Sequence, residues 1–199
     1  MKKTIVFVSS LFLILNAAAQ ETYFGVKGGI NVSSLHFADD NISADSKVGF
    51  HIGALAHIHA SNLWAIQPEV IYSLEGAKQT LIGSNNKATT NLSYLNVPIL
   101  LQYFVHNGFR LEGGPQIGFL IKGKTKVGDV SVDNKTFKST AFSIPLGVGY
   151  LTATGVGFDA RYVFGLSDIN DTENGSTIQS NVFQLGLFYQ FGDTKIHKR

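Results

Sequence analysis

The chain has 199 residues, of which 44% are hydrophobic, 12% aromatic and only 15% charged, with 21 glycines, 15 phenylalanines and no cysteine. Sixteen Lys+Arg stand against 14 Asp+Glu, a balance that asks for neither nucleic acid nor an acidic partner. Without cysteine no disulfide supports the fold, and beyond the first twenty residues no run of about 18 apolar residues exists to cross a membrane as a helix.

Lys2 and Lys3 precede an apolar core from Ile5 to Leu15, and Ala17-Ala18-Ala19 supplies small residues for cleavage. This pattern predicts a signal peptide over 1–20, cut near Ala19 or Gln20. The apolar core is too short to span a bilayer, and no cysteine follows it to carry a lipid anchor. Once Lys2 and Lys3 are removed, fourteen basic residues face fourteen acidic ones and the formal net charge is zero. A single domain is expected over 21–192, with a short basic periplasmic tail at 193–199.

The rest of the chain divides into eight strand-length segments: Tyr23–Ser34, Lys47–Ala60, Leu63–Glu75, Asn91–Phe104, Gly108–Lys122, Thr140–Ala153, Val156–Asp168 and Ile178–Phe191. Each alternates with period two, the mark of a strand whose faces meet unlike surroundings. In the last, Phe183, Leu185, Leu187, Tyr189 and Phe191 share one face and Gln184, Gly186 and Gln190 the other, with Phe188 the exception. In the fifth, Phe109, Leu111, Ile117, Phe119 and Ile121 alternate with Arg110, Glu112, Gln116 and Lys122. In the seventh, Val156, Phe158, Ala160, Tyr162, Phe164 and Leu166 oppose Asp159, Arg161 and Ser167. A helix would scatter these sets around its circumference.

The connections separate a membrane barrel from a soluble sandwich. Long links at 35–46, 76–90, 123–139 and 169–177 alternate with tight ones at 61–62, 105–107 and 154–155. Long outer loops and short periplasmic turns are the rule of transmembrane barrels. The expected fold is all-β: an eight-stranded antiparallel up-and-down transmembrane β-barrel in the outer membrane, with both termini periplasmic. Glycines 25, 29, 49, 53, 114, 118, 147, 149, 157 and 165 fall on the interior parity, where a narrow barrel must leave room for larger neighbours. Trp64 and tyrosines 72, 103, 150, 162 and 189 have the outward parity of interfacial girdles. Pro68, Pro98, Pro115 and Pro145 fall inside strands, which predicts bulges or missing ladder bonds, placed near strand ends.

Interior parity collects Lys27, Asn31, His51, His57, His59, Gln67, Glu69, Glu75, Tyr94, Asn96, Gln102, Arg110, Glu112, Gln116, Asp159 and Arg161. Eight strands leave an interior just wide enough for side chains, and buried charges must be paired. Lys27, Glu69, Gln102, Arg110, Glu112, Asp159 and Arg161 are therefore expected to form a structural polar network that fills the lumen. A wide aqueous pore needs roughly 16 strands. His57 and His59 at i, i+2 share a face with His51, but no acidic residue is placed locally to complete a metal set. Ser33, Ser34 and His36, close to Asp39 and Asp40, have no distinctive catalytic spacing. No catalytic residue, metal or cofactor is expected.

Phe24–Ser34 (FGVKGGINVSS), Gly49–Gly53 (GFHIG), Gln67–Ser73 (QPEVIYS), Tyr94–Leu101 (YLNVPILL), Leu111–Leu120 (LEGGPQIGFL), Arg161–Ile169 (RYVFGLSDI) and Gly186–Phe191 (GLFYQF) occur in this order along the chain. The series resembles the PorT-like outer-membrane β-barrel family of Bacteroidetes, small barrels of the OmpA/OmpX kind, over essentially the whole mature chain. The resemblance implies a strand-terminal aromatic, here Phe191, as the signal read by the barrel-assembly machinery, although GDTKIHKR follows it. It implies an outer-membrane location, with membrane lipids and lipopolysaccharide as neighbours.

The function expected is non-enzymatic: envelope structure, adhesion or interaction through extracellular loops. The alternatives are an accessory part of a secretion and gliding apparatus, a small-solute pore and a lipid-modifying enzyme. In the loops, Lys78 and Lys87 and the lysine-alternating stretch GKTKVGDVSVDNKTFKS are candidates for lipopolysaccharide phosphates or, by strand addition, for a protein partner.

Overall fold

Period-two alternation becomes strand along almost the whole domain. The computed structural model describes residues 22–37, 44–80, 87–106, 108–127, 130–133, 137–171 and 177–192; the expected signal peptide, the basic tail, Asp39 and Asp40 lie outside the described residues. The strands are β1 (Thr22–Phe37), β2 (Ala44–His59), β3 (Trp64–Thr80), β4 (Lys87–His106), β5 (Phe109–Gly113), β6 (Gln116–Val127), β7 (Val130–Asp133), β8 (Thr140–Leu151), β9 (Val156–Gly165) and β10 (Ile178–Gln190).

All pairings are antiparallel; β4 pairs with both β5 and β6, β8 pairs with β5, β6 and β9, and β1 pairs with β10 to close the ring. β5 and β6 act as one barrel strand. Gly113 opposes Leu101 and Gln116 opposes Pro98 in a single continuous register on β4, so the break is only Gly114-Pro115. Counting β5 and β6 together and setting aside β7, which among the described residues pairs only with β6, the ring has eight positions. Tight turns at Gly108 and Gly155 adopt φ of 88° and 84°, a region that glycine enters without steric cost.

The structure departs from the expected boundaries at the long-loop end. β3 and β4 stay paired up to Thr80 opposite Lys87, and β6 folds back on β7 as a hairpin. Continuing the ladder satisfies backbone donors and acceptors, so the strands extend into segments expected as loop.

The prolines meet the expectation in part: Pro115 falls in the break between β5 and β6, where ladder pairs are missing, and Pro68 is the fifth residue of β3, whereas Pro98 and Pro145 stand inside their strands. Pro68 opposes Ile99, the Ile99 amide donates to the Pro115 carbonyl at 2.9 Å, and the Gly114 amide donates to the Pro145 carbonyl at 3.2 Å. Grouping them at one height confines the missing donors to one belt while their carbonyls continue the ladder.

A third correction concerns Lys122. Between Ser93 and Tyr94 the β4–β6 register slips: Tyr94 faces Leu120 but Ser93 faces Lys122. The inserted residue is Ile121, so Ile121 and Lys122 are both exposed, and the face presented by each later residue of β6 is reversed. Lys122 does not enter the interior.

The surface is inverted relative to a soluble protein. Ile52, Leu101, Leu111 and Leu187 are 59%, 50%, 51% and 54% exposed, whereas Lys27, Arg110 and Arg161 are 3%, 1% and 2% exposed. Apolar bands facing outward with charges within suit a hydrocarbon solvent. At the short-turn end the band finishes in aromatic pairs, Trp64–Tyr103 at 4.8 Å and Phe109–Tyr150 at 4.7 Å between ring centres. Phe191 lies on the outer face beside Tyr189 at 5.3 Å.

Candidate functional site

Buried residues fill the barrel interior in three layers. The middle layer is charged. Arg161 on β9 lays its guanidinium against Glu69 on β3, with Nη1 to Oε2 at 2.7 Å and Nη2 to Oε1 at 2.8 Å. Its Nε donates to Glu112 on β5, and Gln102 donates to the other oxygen of that carboxylate at 2.8 Å. Lys27 on β1 sits 3.1 Å from Asp159 and 3.7 Å from Glu69. Gln67 donates to Glu69 at 2.7 Å and meets His57 Nδ1 at 3.2 Å.

Thus Lys27, Glu69, Gln102, Glu112, Asp159 and Arg161 form one connected cluster, all at most 5% exposed. Arg110 is set apart from them. Its guanidinium makes no hydrogen bond among the described residues and rests over the Phe188 ring at 4.6 Å, a cation–π contact. Three buried cations face three buried carboxylates in this layer, so it is neutral as a whole.

Glycine makes the layer geometrically feasible. A Cβ at Gly147 would stand 2.7 Å from Arg161 Cγ, and one at Gly149 would stand 2.8 Å from Arg110 Nε. Phe188, the aromatic that breaks the alternation of β10, turns inward over Gly157, where a Cβ would be 2.0 Å from the ring. A side-chain-free partner strand is the signal that reveals an inward aromatic, and it can be read only once β9 and β10 are paired in register.

Above the charges, Asn31 accepts or donates at both ends: Oδ1 meets His51 Nδ1 at 2.7 Å and Nδ2 donates to Ser73 at 2.8 Å. Glu75 receives Ser73 at 2.9 Å and Asn96 at 3.1 Å. Glu75 lines a cavity of about 20 Å³ with Tyr94, Gln116 and Ser180, room for about one water molecule.

Apolar layers cap both ends. Leu35, Ala77, Leu92, Tyr94 and Ile169 pack across the long-loop end, and Leu55, Leu151 and Phe188 across the short-turn end. Sequence parity did not single out these plugs. Their signal is apolar residues on the interior parity near strand ends, which isolated segments do not distinguish from noise.

The remaining candidates are dispersed. His57 and His59 stack edge to face at 4.7 Å, each against Phe104. Among the described residues no group of three or more His, Asp or Glu is arranged to hold a metal ion. Ser33 points inward and donates to the Gly76 carbonyl at 2.8 Å, whereas Ser34 and His36 have the opposite parity and stand on the other face.

Beyond the apolar band, Asp168 ties a loop shut. Its Oδ1 accepts the amides of Asn170 at 3.0 Å and Ile178 at 2.9 Å, and its Oδ2 accepts Lys138 at 3.1 Å. The two backbone donors foremost hold its pKa down to about 2, against about 3.9 for a free Asp. A depressed carboxylate contributes stability above its unfolded pKa and loses it as pH falls through the folded value. Protection of the Ile178 amide from hydrogen exchange is therefore expected to persist at pH 4 and to fail near pH 2, and to be lost at both in Asp168→Ala. Loss of protection already at pH 4 in the unsubstituted protein would contradict this arrangement.

Comparison with known proteins agrees with this architecture. The family model described as "Outer membrane protein beta-barrel domain" matches residues 18–171. Among curated proteins nothing matches. Among solved structures, Neisserial surface protein A superposes with a TM-score of 0.59 at 15% identity, covering 86% of this chain and 100% of that one. Ail, the attachment invasion locus protein of Yersinia pestis, superposes with a TM-score of 0.51 at 18% identity, covering 86% and 99%. At these identities the likeness is one of fold.

Proposed function

This chain belongs to the outer membrane protein β-barrel domain family, and on that premise we propose that it is a non-conducting, non-enzymatic barrel that works at the outer surface in envelope structure, adhesion or interaction. The observation that carries this reading is the neutral charged layer held between two apolar plugs. An ion crossing the lumen would have to part Arg161 from Glu69 and then pass Leu55, Leu151 and Phe188, at a high cost in desolvation. Catalysis at the rim lacks support, because Ser33 and Ser34 project to opposite faces and the Ser33 hydroxyl is already engaged.

The short turns lie at the end where the first and last strands begin and finish, which supports periplasmic termini and a long-loop end facing outward. The ordered motifs from Phe24–Ser34 to Gly186–Phe191 support a place beside the PorT-like barrels within the family.

Conductance tests the reading. Purified, folded protein in planar bilayers is expected to show no discrete current steps. Reproducible unitary steps from protein that runs as a single folded species would overturn it.

A further inference from the structure

Above the neutral charged layer the interior holds one more acid. Among the described residues the buried charged side chains are Lys27, Arg110 and Arg161 against Glu69, Glu75, Glu112 and Asp159. Four carboxylates thus stand against three cations, and Glu75 is the one beyond the neutral layer.

The groups that serve the Glu75 carboxylate are neutral. Ser73 and Asn96 donate to Oε1 at 2.9 and 3.1 Å, and Ser180 donates to Oε2 at 3.4 Å. Lys47 on β2, half-buried, gives its ammonium to the Glu75 backbone carbonyl at 2.9 Å. Ser73 itself accepts from Asn31 at 2.8 Å, which commits its own proton to Glu75 and marks the glutamate as an acceptor, the role of the ionised form. A carboxylate has about four lone-pair directions, so these three donors leave room for a ligand.

The cavity of about 20 Å³ beside Glu75 is rich in oxygen. The Tyr94 hydroxyl lines it without a hydrogen bond among the described residues, on a side chain 2% exposed. Gln116 donates an amide N–H to Ser143 at 3.0 Å, which leaves its carbonyl oxygen as the end able to meet a cation. Asn96 turns its nitrogen to Glu75, and its oxygen stands 2.6 Å from the place that a Cβ on Gly118 would take. Gly118 also lines the cavity, and no Lys, Arg or His is among its described lining residues.

A water molecule in this space would satisfy Tyr94 but leave the Glu75 charge uncompensated in a closed interior, which is costly. A cation does both. One carboxylate matches one positive charge, whereas divalent sites draw on several. Room for about one water molecule suits sodium better than the larger potassium ion.

We propose that Glu75, Tyr94, Asn96 and Gln116 form a binding site for one sodium ion. The ion ties β3, β4 and β6 together beside the short β6–β8 ladder, which runs from Gln116 opposite Ser143 to Phe119 opposite Thr140. Such a site holds its ion in place and needs no path through the lumen, so its test stands apart from the conductance test.

Folded mature protein in lipid vesicles at pH 8 is unfolded with urea in sodium chloride and in choline chloride of equal ionic strength, the heat-modifiable gel shift reporting the folded fraction. Sodium at about ten times its half-saturating concentration is expected to lower the unfolding equilibrium constant about tenfold, and saturably. Potassium is expected to do less. Glu75→Gln, which keeps the shape and removes the charge, is expected to abolish the sodium dependence. Tyr94→Phe, which removes only the hydroxyl, is expected to fold and to raise the half-saturating sodium concentration severalfold. Equal stability of the unsubstituted protein in sodium and choline, or an unchanged sodium dependence in both variants, would overturn the proposal. Stability in choline that rises as pH falls from 8 to 5, with no effect of sodium, would overturn it in favour of a proton on Glu75.

Discussion

Replacing Arg161 with alanine is expected to destabilise the folded barrel by about 3–5 kcal/mol, the cost of leaving buried charges uncompensated. Arg161 is the hinge of the charged layer: it holds Glu69 through two parallel bonds and Glu112 through a third. Its loss leaves two carboxylates in a closed interior, Glu69 with Lys27 at 3.7 Å and the Gln67 amide, and Glu112 with the Gln102 amide. Urea unfolding in lipid vesicles, followed by the heat-modifiable mobility shift, measures the effect.

A companion variant separates charge from packing. Combining Arg161→Met with Glu69→Gln and Glu112→Gln removes the ions together, and a balanced removal is often close to neutral. Recovery of most of the lost stability is therefore expected. A loss below about 1 kcal/mol for Arg161→Ala, the range of a surface pair, would mean that water reaches this layer and that the plugs do not seal it.

The second large effect lies on the opposite side of the same wall. Leu185→Arg is expected to cost about 2–4 kcal/mol, as for a cation at the bilayer midplane. Leu185 is 43% exposed yet lies at mid-strand, flanked in register by Ile30 and Ala160, so lipid must cover it. In a soluble sandwich an equally exposed leucine would accept arginine within about 0.5 kcal/mol. Lys126→Leu, above the band, serves as the contrasting substitution and is expected to shift stability by less than that amount. Equal tolerance at 185 and 126 would remove the lipid-facing assignment.

How far these features could be read from residues alone depended on which of them were local. Alternation in β10 is a property of one segment, so the outward set Phe183, Leu185 and Leu187 was legible at once. Interior parity likewise gathered Lys27, Glu69, Glu112, Asp159 and Arg161, and the structure has all five buried. Which acid meets which base was not legible. Arg161 and Glu69 are 92 residues apart, and their heights are set by register and tilt around the whole ring.

The misreadings have the same physical origin. The alternation that groups Lys122 with Arg110, Glu112 and Gln116 does not carry through the strand, because the inserted residue at Ile121 is visible only against β4. The proline belt is visible only when β3, β4, the β5–β6 junction and β8 are laid side by side. Phe188 interrupts a clean pattern for a reason that resides on another strand, at Gly157. Period two describes a strand, and a barrel adds relations between strands that no single strand encodes.

The absence of cysteine permits the most direct test of the central claim, that a lipid-facing wall encloses a filled interior. Single cysteines introduced at Phe183, Leu185 and Leu187, and at Gln184 and Gln190, are labelled with a small fluorophore before folding into vesicles containing brominated lipids. Unlabelled cysteine variants folded in the same way are exposed to water-soluble thiol reagents. Fluorescence from 183, 185 and 187 is expected to be quenched by the bromines, with water-soluble thiol reagents failing to reach these sites, whereas 184 and 190 are shielded from both. Ready modification of 185 and 187 by a water-soluble reagent in the folded protein, with no quenching by lipid, would contradict the account.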